Sequence, residues 1–503
     1  MFLSQVKPLF EKLKNQEDAI AIINQQSDYS YAALGKRVAA ITAYLVPFRG
    51  QTVLIHGHKQ IDAVAAILAS ILSNCCFTFV DEANPASRVQ KITLMTKATV
   101  ILNTSDKALD DLEVNAQIMT AALPDGDPSV LSVPDTLTQP LFYILSTSGS
   151  TGEPKGVRIS YDNFAAFNAW FADDITLNAA GSHVNHACLS FDMGILDLVP
   201  PLCRGKTVLM LDHKNNMLPR QNIKLMLRNA HKPITSWFST PSFAELMLKD
   251  AQFNAQSFPS FTHFFIGGER VSPWLIQALQ QRFPDMTIFH AYGPTETTCL
   301  THCWVLPNPV VTHSGLLPLG HPRGLNNVLI VDDEGHPLPP GTTGEVRLYG
   351  PQVSQGYLPD DHPRNVTFGC DHHGRYYATG DKGYIDKSGS LFICGRDDGQ
   401  IKLNGNRIEI AEIEMAACDH DNVMQCCLAV SEDRHSASTP HLFVQLADNS
   451  PARYDDFRRH LAQRLPANMI PRSIIFQQNF PMTLHAKIDK KALLQELENR
   501  QRV

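Results

Sequence analysis

The sequence predicts an α/β chain: a large N-terminal domain of several subdomains, with layered, mostly parallel sheets plus a β-rich subdomain, and then a small α+β C-terminal domain. Three changes of texture along its 503 residues carry that prediction. From Ala19 short apolar runs alternate with helical stretches, from Gly320 short strands alternate with glycine-bearing turns, and from Ile401 strands and helices mix to the end. The length exceeds one ordinary core, so two or more domains are expected.

In the first stretch AIAIIN reads as a strand, YAALGKRVAAITAYLV as a helix, QTVLIHGH as a strand, and CCFTFVD and ATVILN as further strands. Crossovers of this length imply parallel pairing. The run Ala63 to Val80 contains Ser70, Ser73 and Asn74 and lacks basic flanks, so it reads as a buried helix followed by a strand rather than a membrane span. Between Asp106 and Asp135 the chain becomes polar and proline-bearing, which marks a surface connection.

The chain is organised around Tyr143 to Gly156, YILSTSGSTGEPKG. An apolar strand empties into hydroxyls and glycines that end on Lys155. Glycines let the backbone approach an anion, hydroxyls and free N–H groups donate to it, and the lysine adds a point charge. This is phosphate-binding chemistry, but not the usual P-loop. Pro154 stands where that motif needs glycine and Gly156 where it needs Ser or Thr.

Farther on, Asp192 stands among Phe191, Met193, Ile195 and Leu196. A carboxylate in that company is paired, solvated or a helix cap, and a cationic substrate group is one possible partner. PITSWFSTPSF reads as a strand with a helix after it to Lys249, and Ser272-Pro273 opens another helix in cap order. TIFHAYGPTETT then ends an apolar run in a turn. Ligands sit beyond the carboxyl ends of parallel strands, so Tyr292 can stack on a base there and Glu296 can hold Mg²⁺ against phosphates, although an isolated turn of this kind is commonly bland.

After Gly320, Asp-Gly, Ser-Gly and Asn-Gly punctuation at spacings of about ten residues indicates antiparallel hairpins. Asp381 and Arg396 fall in this region, and a carboxylate and a guanidinium can grip ribose hydroxyls or phosphate. In the tail, IAEIEMAACDH and DDFRRHLAQRL read as helices, and CCLAVSE, HLFVQLA and SIIFQQN as strands. A loop from Pro481 to Lys487 precedes a last helix, Asp489 to Gln501. Taken alone, Lys487 reads as a solvated surface charge.

Composition narrows the function class. With 44% hydrophobic and 18% charged residues the chain is globular, and 43 basic against 50 acidic residues leave no excess for nucleic acid. The first twenty residues carry charges throughout and are not a signal peptide. Eleven cysteines contain no CxxC, so cysteine metal sites and disulfide frameworks are not expected and a cytoplasmic setting fits.

Together and in this order STSGSTGEPKG, AYGPTETT, YATGDKGYI, GRDDGQIKLNGNRIEIAEIE and PMTLHAKID resemble the adenylate-forming superfamily of acyl and aminoacyl ligases over essentially the whole chain. LSFDMGILDLVP and FSTPSF are similar to its stand-alone amino acid ligases that charge a carrier protein. Those include the D-alanine:D-alanyl carrier protein ligases and a glycine-activating relative serving lipid A modification. The resemblance implies attack of a carboxylate on the α-phosphate of ATP, then transfer of the acyl group to the phosphopantetheine thiol of a carrier protein. It implies a domain 1–396 for ATP and amino acid and a mobile domain 397–503, with a hinge at Asp398 and Gly405 facing the pantetheine tunnel.

Carried over by motif, Thr147, Ser148, Gly149, Ser150, Thr151, Gly152 and Lys155 hold the β- and γ-phosphates. Ala291, Tyr292, Gly293 and Thr295 line the adenine side, Asp381 and Arg396 hold ribose, Glu296 binds Mg²⁺, and Lys487 is the catalytic bridge between substrate carboxylate and α-phosphate. His485-Ala486 replaces the family's Asn-Gly before that lysine. Asp192 pairs with the α-ammonium in amino acid members, and Met193, Leu196, Phe265, Gly267, Ala291, Cys299 and Leu300 form the remaining wall. Gly267 falls where the D-alanine enzymes carry a cysteine, so glycine is expected first and D-alanine second. The rival expectations are an acyl-CoA ligase for a small carboxylic acid, which Asp192 disfavours, and a non-catalytic binding protein.

Overall fold

The computed structural model describes every residue except 110–111, 121–122, 148–152, 175–180, 216–217, 230, 313–315, 397–399, 404–405, 421, 432–438, 447–453, 482–487 and 502–503. Two large sheets form its frame. One has seven strands, in the order Tyr357–Leu358, Lys155–Ser160, Leu141–Thr147, Cys76–Asp81, Thr52–Gly57, Val100–Asn103 and Gln117–Thr120. Its last five are parallel, and the first two run antiparallel at one edge. The other has eight strands, with a parallel centre that includes Ser182–Asn185, Ile234–Ser239, His263–Gly267 and Thr287–Tyr292.

These strands read as continuous apolar runs because helices cover both faces. The helix Ile61–Leu72 is buried from Ala63 to Leu72, as a core helix must be. Each of its Val, Ile and Leu side chains contributes about 1.5–3 kcal/mol of apolar burial. Among the described residues no helix is long and apolar enough to cross a membrane, and all eleven cysteines are free.

The β-rich region is a five-stranded sheet that includes Asn327–Val331, Gly344–Tyr349, Gly374–Ile385 and Leu391–Arg396. Its pairings are antiparallel, as the turn spacing predicts. The C-terminal unit is smaller. Its three-stranded sheet, Val423–Ser431, Thr439–Leu446 and Ser473–Gln477, is covered by the helices Ile410–Cys418, Tyr454–Ala462 and Lys490–Gln501 over an apolar cluster of its own.

Three local readings change. The strand Ile20–Ile23 pairs antiparallel with the adjacent Asp28–Ser30 and parallel with the distant Thr207–Met210, so it lies in the second sheet rather than beside the strands Thr52–Gly57 and Cys76–Asp81. Tyr31, just after it, is fully buried and donates to Lys206 O at 2.9 Å, which fastens the N-terminus there. The polar connection contains an edge strand, Gln117–Thr120, whose exposed side chains explain its polar texture. The charged N-terminus is a helix, Phe2–Lys14, that buries Phe2, Val6, Leu9, Phe10 and Leu13 on one face.

Two buried histidines flank the turn between the strands Thr287–Tyr292 and His302–Val305. Burial pushes His290 down to about 4, against the 2.9 Å bond to Pro318 O, and His302 down to about 3. Such groups favour proton uptake by the unfolded chain, so their contribution is complete above about pH 6.5 and is lost as pH falls toward about 4. The unfolding free energy should therefore fall across that window, by on the order of 3 kcal/mol for His290 alone, and the denaturation midpoint with it. A midpoint flat from pH 6.5 to 4 would contradict this.

Candidate active site

Lys155 opens the strand Lys155–Ser160 directly opposite Thr147, so the glycine-rich segment joins two antiparallel strands and does not enter a helix. Its side chain is 1% exposed. Nζ lies 3.5 Å from Glu409 Oε1 and 4.7 Å from the ring centre of Tyr357, a carboxylate and a π face that together offset the cost of burying the ammonium. Among the described residues Thr147 Oγ1 is buried with no hydrogen-bond partner, which leaves it suited to an incoming acceptor.

Tyr357 arrives through the short strand Tyr357–Leu358 paired to Gly156–Val157. Its hydroxyl donates to Glu296 Oε1 at 2.5 Å and lies 3.2 Å from Tyr377 Oη. Glu296 is 1% exposed, a hard-oxygen donor in a dry place. Glu409 also meets Arg364 Nη2 at 3.3 Å, and nearby Arg88 Nη1 donates to Glu412 Oε1 at 2.6 Å. The Lys155 contact joins the C-terminal unit to the first sheet, the Arg88 contact joins it to the helix Ala86–Thr96, and the Arg364 contact joins it to the segment beside Tyr357.

A second group forms where the second sheet meets the β-rich one. Asp381 and Arg396 are direct cross-strand partners. Arg396 Nη1 donates to Asp381 Oδ1 and Nη2 to Thr379 O at 3.0 Å, while Tyr292 Oη donates to Asp381 Oδ2 at 2.5 Å. Burial, and then the Asp381 charge, push the Tyr292 phenol far above its ordinary value, so it remains a donor.

Asp192 is the first residue of the short helix Asp192–Leu196. Its carboxylate accepts from Met193 N at 2.8 Å and from Thr295 Oγ1 at 2.6 Å, while Phe191 takes the N-cap position, so the helix-cap alternative is not realised. Beside it Met193, Leu196, Phe265, Ala291, Cys299 and Leu300 belong to one buried apolar cluster. Burial, and then Asp192 and Asp197, hold Cys299 as a neutral thiol. Thr298 and Cys299 take positive φ values of 58° and 74°, a strained turn fixed by Gln352, whose Nε2 donates to Leu300 O at 2.7 Å. Gly267 and Gly293 permit the close packing. A Cβ would lie 2.3 Å from Ala291 O at the first and 2.5 Å from Cys299 O at the second.

The structure thus gathers Thr147, Lys155 and Glu296 in one group, Tyr292, Asp381 and Arg396 in another, and Asp192, Met193, Leu196, Cys299 and Leu300 in a third. Ser148 to Gly152, Asp398, Gly405, His485-Ala486 and Lys487 lie outside the described residues. Sequence reasoning missed Glu409, Arg364 and Tyr357. Glu409 does sit in the apolar frame Ile408-Glu409-Ile410, where a charge needs a partner.

The chain belongs to the AMP-binding enzyme family, whose model matches residues 9–358. It is 30% identical over 502 residues to the D-alanine--D-alanyl carrier protein ligase of Bacillus licheniformis, covering 96% of this chain and 97% of that protein. The Listeria monocytogenes serotype 4b protein of that name is 32% identical over 493 residues, covering 93% and 94%. Among solved structures, the Vibrio cholerae adenylation domain AlmE in complex with glycyl-adenosine-5′-phosphate has a TM-score of 0.82 at 23% identity, covering 98% of each chain.

Glu409→Gln should destabilise the protein by about 3 kcal/mol, because it leaves the buried Lys155 without its carboxylate. Denaturant unfolding of the wild type and the variant measures this, and equal stability would mean that the pair contributes nothing.

Proposed function

We propose that this protein activates a small amino acid, glycine in preference to D-alanine, as an aminoacyl adenylate and transfers it to the phosphopantetheine thiol of a carrier protein for cell-envelope modification, of lipid A or teichoic acid. The observation that carries this reading is Asp192: a carboxylate fixed by Thr295 at the edge of an apolar cluster whose named wall residues bear no second charge. Such a site pairs with an α-ammonium and disfavours a charged side chain. The names of relatives at 30 and 32% identity support amino acid and carrier protein as substrates.

Glycine rests on space. Met193 and Leu300 fill the wall, and Gly267 is packed against Ala291 O with no room for the cysteine of the D-alanine enzymes.

In the first step a substrate carboxylate oxygen bonds to the α-phosphorus of ATP and the bond to pyrophosphate breaks. Lys155, Thr147 and the segment 148–152 hold the departing phosphates, with Lys155 exchanging Glu409 for them. Ala291, Tyr292, Gly293 and Thr295 frame adenine, while Asp381 and Arg396 hold ribose. Glu296 fits Mg²⁺ as a buried carboxylate, and the ion would supply neutralising charge at the phosphates. Lys487 bridges the reacting carboxylate and the α-phosphate. In the second step the thiol attacks the acyl carbon and AMP leaves, after domain 397–503 has turned about Asp398.

The test is amino acid-dependent exchange of labelled pyrophosphate into ATP with glycine, both alanine enantiomers, proline and a short fatty acid. Glycine should give the fastest exchange, and Asp192→Asn should lower it roughly 10²-fold through loss of the ammonium partner. A D-alanine preference would overturn the argument from Gly267. Exchange with the fatty acid alone would overturn the role of Asp192.

A further inference from the structure

Away from these residues, the carboxyl ends of three strands from the two large sheets bring together His58, Asp81 and His213. His58 follows Thr52–Gly57, Asp81 ends Cys76–Asp81, and His213 follows Thr207–Met210. One ligand atom from each lies within 4.8 Å of the others. His58 Nδ1 is 3.2 Å and His213 Nε2 3.4 Å from the same oxygen, Asp81 Oδ2. Cys188 Sγ approaches that oxygen too, at 3.3 Å.

Three donors on one oxygen are more than its lone pairs serve well, and the two imidazole nitrogens, at 3.2 and 3.4 Å, stand at or just past the long end of the N–H···O range. The spacing suits a different arrangement. Ligands about 2.0–2.1 Å from a tetrahedral ion are separated by about 3.3–3.4 Å.

The surroundings fit the same chemistry. His58 Nε2 is 2.9 Å from Asp212 Oδ1, the carboxylate-to-imidazole bond that orients a metal-bound histidine through its second nitrogen. Asp81 Oδ1 accepts from Ala83 N at 2.9 Å, which leaves Oδ2 for the cluster. Among the described residues His213 Nδ1 is buried without a hydrogen-bond partner, so its polar contacts there run through Nε2. The His213 side chain is 21% exposed, which gives an ion a way in. Lys59, a positive charge acting on His213, donates to the carbonyls of Asn185, His186 and Leu211, and burial lowers it to about 8.

We propose that His58, Asp81 and His213 form a zinc site, completed by water and oriented by Asp212, that ties the ends of the two large sheets together beside the loop leading from Cys188 to Asp192. Two imidazoles and a carboxylate select zinc over magnesium or calcium. This ion is separate from the Mg²⁺ assigned to Glu296. It is structural, since no part of the adenylation reading requires it.

The test is titration of the chelator-stripped full-length protein with Zn²⁺ by calorimetry, and with Co²⁺ by visible absorption. One equivalent of zinc should bind and raise the melting temperature, and cobalt should give the intense visible bands of a tetrahedral site. His213→Gln should weaken zinc at least 100-fold, and Asp212→Asn should weaken it about 10- to 100-fold. Circular dichroism and ATP–pyrophosphate exchange confirm that each variant folds. Absence of zinc binding, an octahedral cobalt spectrum, or equal affinity in wild type and His213→Gln would each overturn the site and leave a hydrogen-bonded network.

Discussion

The interaction on which the site depends is the burial of the Lys155 ammonium. An isolated lysine in that position would lose its proton or unfold its surroundings, so the structure must bring it a carboxylate. It does so from residue 409, 254 positions away. That requirement aligns the hairpin Leu141–Ser160, the strand carrying Tyr357, and the C-terminal unit. Arg364 shares Glu409, and the Arg88–Glu412 pair repeats the connection nearby.

The remaining geometry follows from the parallel sheets. Their carboxyl ends deliver Thr147, Tyr292 and the turn at Thr295, while the antiparallel sheet sets Asp381 opposite Arg396 by register. The positive φ values at Thr298 and Cys299 are tolerated because Gln352 holds the turn from both sides, donating to Leu300 O and accepting from Thr298 Oγ1 through its own carbonyl. Local strain there positions the wall residues Cys299 and Leu300 next to Asp192.

Much of this was legible in the sequence because local patterns encode it. Continuous apolar runs, cap residues such as Ser272 and turn glycines marked the elements, and the glycine-rich segment before Lys155 stood out by composition. What escaped depends on distance along the chain. Nothing near Ile20–Ile23 reveals that, besides the adjacent Asp28–Ser30, it pairs with Thr207–Met210. Glu409 and Arg364 look like ordinary charges until the fold sets them against Lys155. The pairing of Asp192 with Thr295 likewise needs the fold, since that partner lies 103 residues on.

The most direct measurement is calorimetric titration of ATP with Mg²⁺ into the wild type and Glu409→Gln. If Lys155 exchanges Glu409 for phosphate, removing the competing carboxylate should tighten nucleotide binding by about tenfold, equivalent to about 1.4 kcal/mol. Equal or weaker binding in the variant would contradict the exchange and place the nucleotide elsewhere than on Lys155.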